Sequence, residues 1–271
     1  MIKISTFNVN SIRARLPRLE EWLKKSAPDI VCLQELKCEE QNFPFEAMLD
    51  LGYNSAVFGQ KTYNGVAILS KFKIEEIIKG LPNFSGDSPQ PARYIEAVIS
   101  AKDLVLRVAS IYVPNGGGDI AEGQALEDTT KFQYKMQFFK DLRTHLQKLS
   151  EYDESQIFAG DFNVANNEID IYDPKKFHNQ ILFHPKERAE FRQILNLGLT
   201  DSFRMKNPQA QAFSWWDYRG NSYENNKGAR IDYILTTANL IDRISACEIE
   251  DKNIRDQEKP SDHCPVSIMF R

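Results

Sequence analysis

Gln156-Ile157-Phe158-Ala159-Gly160-Asp161-Phe162-Asn163 is a short, mostly apolar run that gives way to glycine, an acid and an amide. Its first half reads as a buried strand and its second as the turn that ends it. The pattern recurs along the chain. Ile2 to Phe7 leads into Asn8-Val9-Asn10, Ile30 to Leu33 into Gln34-Glu35, and Leu104 to Ile111 into Tyr112-Val113-Pro114-Asn115. Ser261-Asp262-His263, about a hundred residues beyond Asp161, adjoins the apolar run Cys264 to Phe270. Strands carry apolar side chains into a core and expose polar groups where they end. Pooled at one edge, these ends would gather carboxylates, amides and an imidazole in a single cleft, the raw material of a metal-assisted phosphoesterase.

The 271 residues, 42% of them hydrophobic, suffice for a large core. No Pro/Gly/Ser-rich linker divides the chain, and strand patterns run from Ile2 to its last residues, so one domain over 1–271 is expected. Met1-Ile2-Lys3-Ile4 enters a strand pattern at once, leaving no room for a signal peptide, and no run approaches membrane-spanning length. Cys32, Cys38, Cys247 and Cys264 lack CxxC spacing and suit a reducing compartment. A cytoplasmic location and no membrane partner follow. The net charge of −4 argues against a uniformly basic nucleic-acid binder but leaves room for a local patch. Arg219, Lys227 and Arg230 bracket a loop with Trp215 and Tyr223, and Arg13, Arg15 and Arg18 crowd the start of the first helix. Solvated surface charge is the plainer reading of any one of them.

Ser11 to Lys25 fits a helix with Leu16, Leu19, Trp22 and Leu23 on one face, and Phe45 to Leu51 a short one ended by Gly52. Gly65 to Ser70, Lys73 to Lys79, Arg93 to Ser100, Leu104 to Val113, Phe213 to Tyr218, Ile231 to Thr236 and Ile244 to Ile249 read as strands. Thr129 or Thr130 caps a long helix, and Pro185 opens another that stops near Gly198. Short strands with a few amphipathic helices between them predict two packed sheets covered by helices.

Each candidate site residue has a bland reading beside the sharp one. Glu35 at a strand end faces water or holds a cation; Mg²⁺ wants few carboxylates and several waters. Asp161 and Asn163 are typical turn residues, yet their spacing points both side chains to one side of an extended segment. His263 is a surface residue or, if Asp232 accepts its ring N–H, an oriented imidazole. Tyr112 anchors a turn or reaches a phosphate. Of Trp215 and Trp216, alternation sends one inward and the other to a different surface.

Taken in order, Phe7-Asn8-Val9-Asn10-Ser11-Ile12-Arg13, Leu33-Gln34-Glu35 with Lys37, Asn64-Gly65-Val66-Ala67, Tyr112-Val113-Pro114-Asn115-Gly116 and Gly160-Asp161-Phe162-Asn163 form a recognisable series. Phe213-Ser214-Trp215-Trp216-Asp217-Tyr218-Arg219, Arg230-Ile231-Asp232-Tyr233 and Lys259-Pro260-Ser261-Asp262-His263-Cys264-Pro265-Val266 complete it. The chain thereby resembles, over nearly its whole length, the exonuclease III family of apurinic/apyrimidinic DNA repair endonucleases, within the endonuclease/exonuclease/phosphatase superfamily. The resemblance implies an α/β four-layer αββα sandwich whose two mainly antiparallel sheets are flanked by helices. It implies Mg²⁺- or Mn²⁺-dependent cleavage 5′ to an abasic nucleotide, with 3′–5′ exonuclease and 3′-phosphatase activities on duplex DNA, by a monomer.

Carried over by position, the resemblance makes Glu35 the principal metal carboxylate, in a ligand set drawn from Asn8, Glu35, Asp161, Asn163, Asp262 and His263. Asp161 would activate the attacking water, Asn163 bind the phosphate, and His263, held by Asp232, offset transition-state charge. Tyr112 would assist the phosphate or the leaving oxygen. Trp215 would line the sugar pocket, with Asn10, Asn115, Arg219 and Arg230 as further substrate contacts. Asn10 stands where some relatives carry an acid, and the loop from Gly116 to Asp128 looks longer and more acidic than usual. A sphingomyelinase, inositol-phosphate phosphatase or nonspecific nuclease of the superfamily is the nearest alternative, and a silent DNA-binding protein a more distant one.

Overall fold

Ile30-Val31-Cys32-Leu33-Gln34 is buried throughout, and its alternation explains the layering of the molecule. In a computed structural model describing residues 1–118, 120–250, 252–255 and 258–271, Ile30 and Cys32 face a core between two sheets. Val31 and Leu33 face a second core, beneath an outer helix. The first six-stranded sheet runs Ile244–Ile249, Val266–Phe270, Ile2–Asn8, Ile30–Gln34, Val66–Ser70 and Asn54–Phe58 from edge to edge. The second runs Lys73–Lys79, Tyr94–Ala101, Leu104–Tyr112, Ser155–Asp161, Asp232–Thr236 and Thr200–Asp201. Ile4, Ile68, Ile95, Leu106, Val108, Ile157 and Ile234 fill the space between them.

Helices close both outer faces. The Ile12–Ser26 helix lays Leu19, Trp22 and Leu23 over the first sheet. The Thr130–Leu149 and Pro185–Leu195 helices lay Phe138, Phe139, Leu142, Phe191 and Ile194 over the second. The result is the expected αββα sandwich. Ser11 caps the first helix and Thr129 the long one, each side chain accepting a backbone N–H of the first turn.

Each sheet has one parallel pair among antiparallel neighbours: Ile2–Asn8 with Ile30–Gln34, and Leu104–Tyr112 with Ser155–Asp161. Parallel neighbours need a crossover, and the Ile12–Ser26 and Thr130–Leu149 helices supply the two. Parallel strands also finish at the same edge. Asn8, Gln34, Tyr112 and Asp161 therefore end their strands together, while the antiparallel Asp232–Thr236 strand begins there, with Asp232 opposite Asp161. Topology thus concentrates the polar strand ends of both sheets.

Two sequence expectations need correction. Phe213 to Tyr218 is not a full strand; only Trp215–Trp216 pairs, with Gly228–Ala229. Asn54–Phe58 is a strand the apolar pattern did not signal, because this edge strand begins exposed and buries only Ala56 and Val57 fully. All four cysteines are free and buried. No helix among the described residues is long and apolar enough to cross a membrane.

Candidate active site

Gly160 shows how tightly the central strands converge. A Cβ built on it would lie 1.9 Å from the Ile111 carbonyl oxygen, so any side chain there would push the two strands apart. Immediately after it the chain delivers Asp161, which is buried and accepts the Asn163 N–H at 2.9 Å through Oδ1. The other oxygen, Oδ2, takes Asn8 Nδ2–H at 2.9 Å. The same Asn8 nitrogen donates to Glu35 Oε1 at 2.9 Å, so one amide joins carboxylates from both sheets.

Glu35 sits at φ 52, a conformation unfavourable for a residue of its size, and Asn10, Lys37 and Asn163 share this left-handed region. Backbone bonds hold the Glu35 turn in place: Ser11 N–H to the Glu35 carbonyl at 2.7 Å, and Leu36 N–H to Gly65 at 3.1 Å. Lys37 Nζ lies 2.9 Å from Glu35 Oε2 and also donates to Asn10 Oδ1.

His263 enters from the turn that precedes the last strand, Val266–Phe270. Its Nδ1 lies 2.9 Å from Asp232 Oδ2, and its Nε2 faces Asp161 Oδ2 at 3.6 Å. Ser214 fixes Asp232 by donating to Oδ2 at 2.6 Å, and its hydroxyl oxygen accepts the N–H groups of Ile231 and Asp232. Ser261 donates to the Asn8 carbonyl at 2.7 Å and accepts His263 N–H, which tethers the Ser-Asp-His turn to the first strand. Ser214 and Lys37 were not picked out as site residues from sequence. Both lay within motifs that carried the family resemblance, Leu33-Gln34-Glu35 with Lys37 and Phe213 to Arg219, but neither was given a role.

Burial drives the Asp161 carboxyl up to about 7; the His263 charge opposes this, and the carboxylates of Asp232 and Glu35 add to it. Burial also pulls the His263 ring down, but the Asp232 and Asp161 carboxylates more than reverse this and push it up to about 10. Desolvation acts to raise Glu35, yet the Asn8 amide and Lys37 ammonium hold it below the usual carboxylate range. Desolvation and the Glu35 carboxylate keep the Tyr112 phenol protonated well beyond neutrality. The pocket therefore offers an imidazolium, a phenol donor and a carboxylate near the pH at which it can accept a proton.

Glu35, Asp161 and His263 bring one ligand atom each to within 4.8 Å of one another. The two carboxylates suit a hard divalent cation. His263 suits it less, because Nδ1 is engaged with Asp232 and the ring is held positive. Other residues expected as ligands lie outside this trio. Asp262 accepts from Asn10 Nδ2 at 2.8 Å and from Trp215 Nε1 at 3.1 Å. Asn163 donates through Nδ2 to the Val113 carbonyl at 3.0 Å, and its Oδ1 accepts from Asn115 at 3.2 Å. Asn8 turns its amide nitrogen toward the carboxylates while Oδ1 takes the Asn10 N–H at 3.0 Å.

Beside this cluster, Trp215 lines a cavity of about 320 Å³ with Tyr172, Phe177, Leu182, Arg219 and Lys227. Trp216 is core. A second groove, of about 450 Å³, runs past Glu35, Lys37, Arg93, Tyr112, Asn115 and Lys131. Arg219 is exposed and paired with Asp217 at 2.8 Å.

Arg230 corrects the sequence reading. It is fully buried, clamped between Asp170 and Asp201 at 2.8 Å each, and so cannot touch a ligand. Its task is to anchor the segment that presents Asp232. Arg230→Met should destabilise the protein by about 3–5 kcal/mol, because Asp201 loses its buried partner and Asp170 is left with Arg204 alone. Urea unfolding checks this, and a cost under about 1 kcal/mol would contradict it.

Two facing sheets that pool carboxylates and an oriented histidine at one edge define a metal-assisted phosphoesterase. Residues 5–263 match the Endonuclease/Exonuclease/phosphatase family, and the chain belongs to it. It is 37% identical to exodeoxyribonuclease III of Haemophilus influenzae, with both chains fully covered. A 3′ phosphatase from Neisseria, solved with a product DNA hairpin, superposes with TM-score 0.92 at 37% identity over all of both chains. An AP endonuclease from Archaeoglobus fulgidus gives TM-score 0.89 at 37% identity, over all of this chain and 99% of that one. The chain is a nuclease-type hydrolase of this family.

Proposed function

We propose that the chain is a DNA-repair nuclease of the exodeoxyribonuclease III type. It cleaves the phosphodiester 5′ to abasic sites and trims or dephosphorylates 3′ ends of duplex DNA. It works in the cytosol as a monomer, with residues 1–271 forming one catalytic domain. The observation that carries this reading is the meeting of Glu35, Asp161 and His263 beside Trp215.

Glu35 and Asp161 would hold a divalent ion, Mg²⁺ or Mn²⁺, which when bound neutralises charge on the phosphate. Asp161 accepts the proton of the attacking water as oxygen attacks phosphorus and the bond to the 3′ oxygen breaks. His263, kept positive by Asp232, offsets the charge that builds on the phosphoryl oxygens. Tyr112 donates its phenol proton to the phosphate or the departing oxygen. Asn163 and Asn115 keep the two loops in register, and Lys37 holds Asn10 against Glu35. Trp215 and its cavity receive the extruded nucleotide, whose missing base makes extrusion cheaper.

Duplexes carrying one tetrahydrofuran site, a recessed 3′ end or a 3′ phosphate, assayed with Mg²⁺, with Mn²⁺ and with EDTA, test the proposal. Absence of metal-dependent cleavage on all three would refute it, and their relative rates rank the activities. Trp215→Ala should lower incision at the tetrahydrofuran site by about tenfold or more while changing exonuclease rates less. Equal loss on both substrates would make Trp215 a packing residue.

A further inference from the structure

We propose that Lys135 is a positioning residue whose buried ammonium locks the two catalytic loops of the second sheet together from beneath. Its side chain, on the Thr130–Leu149 helix, is wholly enclosed. Nζ donates to the Asn163 carbonyl at 2.7 Å, the Asn115 carbonyl at 3.2 Å and Glu187 Oε1 at 2.6 Å, which uses all three of its protons. Asn115 belongs to the loop after Tyr112, and Asn163 to the loop after Asp161. Nearby, the same loops are joined side chain to side chain by Asn115 and Asn163, and side chain to backbone by Asn163 and Val113.

The local geometry needs such a clamp. Asn163 is held at φ 50, where an unsupported backbone would relax. Gly116, at φ 82, rests directly on the lysine stem, and a Cβ there would come within 2.7 Å of Lys135 Cδ. Glu187 extends the clamp to a third segment, because its other oxygen caps the Pro185–Leu195 helix by accepting His184 N–H at 3.2 Å. An apolar side chain could fill the volume but would leave these acceptors without a donor. Lys135 touches no substrate; it sets where Asp161 and Asn163 point.

This inference rests on the reading of Asp161 as the proton acceptor, and the experiment separates the two. Wild type, the double variant Lys135→Met/Glu187→Met and Gly116→Ala are compared on the tetrahydrofuran duplex and on a recessed 3′ end. The double substitution removes both buried charges together, so neither is stranded. The expected result is a folded protein with kcat about 100-fold lower on both substrates, as small misplacements of reacting groups cost, and KM within about threefold. Gly116→Ala, which displaces the lysine stem without altering charge, should lower kcat about tenfold, again with KM little changed. A folded double variant with wild-type kcat, or a loss confined to KM, overturns the proposal. Where the double variant does not fold, an unchanged kcat in Gly116→Ala overturns it. An inactive wild type instead refutes the nuclease reading itself.

Discussion

Asp161→Asn is expected to lower kcat for abasic-site incision by about 10³–10⁴-fold while leaving the protein folded. Both halves have one cause. Burial drives the Asp161 pKa up to about 7, with the Asp232 and Glu35 carboxylates adding to the rise and the His263 charge opposing it. A neutral amide of the same shape removes that cost and still accepts the Asn163 N–H through its oxygen, although its nitrogen then meets the Asn8 amide nitrogen that Oδ2 had accepted. It cannot take a proton from water. Removing a negative charge that faces the phosphate should also leave DNA affinity, measured by fluorescence anisotropy in EDTA, equal or tighter. Turnover within tenfold of wild type would rule out Asp161 as the proton acceptor.

Asp232→Asn should reduce kcat by about 10²–10³-fold at pH 8 through an indirect route. His263 is held positive up to about pH 10, with Asp232 and Asp161 overcoming the effect of burial. Deleting the Asp232 charge removes the largest of the raising influences, and the ring then titrates at lower pH. Because the protonated ring is the useful one, the variant's loss relative to wild type at the same pH should shrink as pH falls from about 8 to 6, where the Asp161 carboxyl of both proteins also begins to protonate. The C–H proton resonances of the His263 ring report the same shift directly. Equal losses at pH 6 and pH 8 would limit Asp232 to orienting the ring. His263→Asn should show the full loss at both.

Much of this arrangement can be read along the chain because strand ends are local events. An apolar run ending in Gly-Asp-Phe-Asn or Tyr-Val-Pro-Asn marks where a core stops and chemistry starts, and the helices betray themselves by caps and periodicity. Asn54–Phe58 escaped because the partly exposed start of an edge strand weakens the apolar pattern that marks the inner ones. Arg230 misled for the opposite reason. A cation beside aromatic residues looks like a nucleic-acid contact, yet Asp170 and Asp201, distant in sequence, enclose it completely.

Local sequence therefore determined which residues carry chemistry and which runs build the two sheets, since both depend on residue type and short-range spacing. Only the tertiary structure decided that Asn8 would link Glu35 to Asp161, that Asp262 would turn toward Trp215, and that Lys135 would lie under both loops. Those outcomes depend on crossovers that bring parallel strands to a common edge and on ion pairs between segments far apart in the chain. No reading of neighbours along the backbone contains those distances.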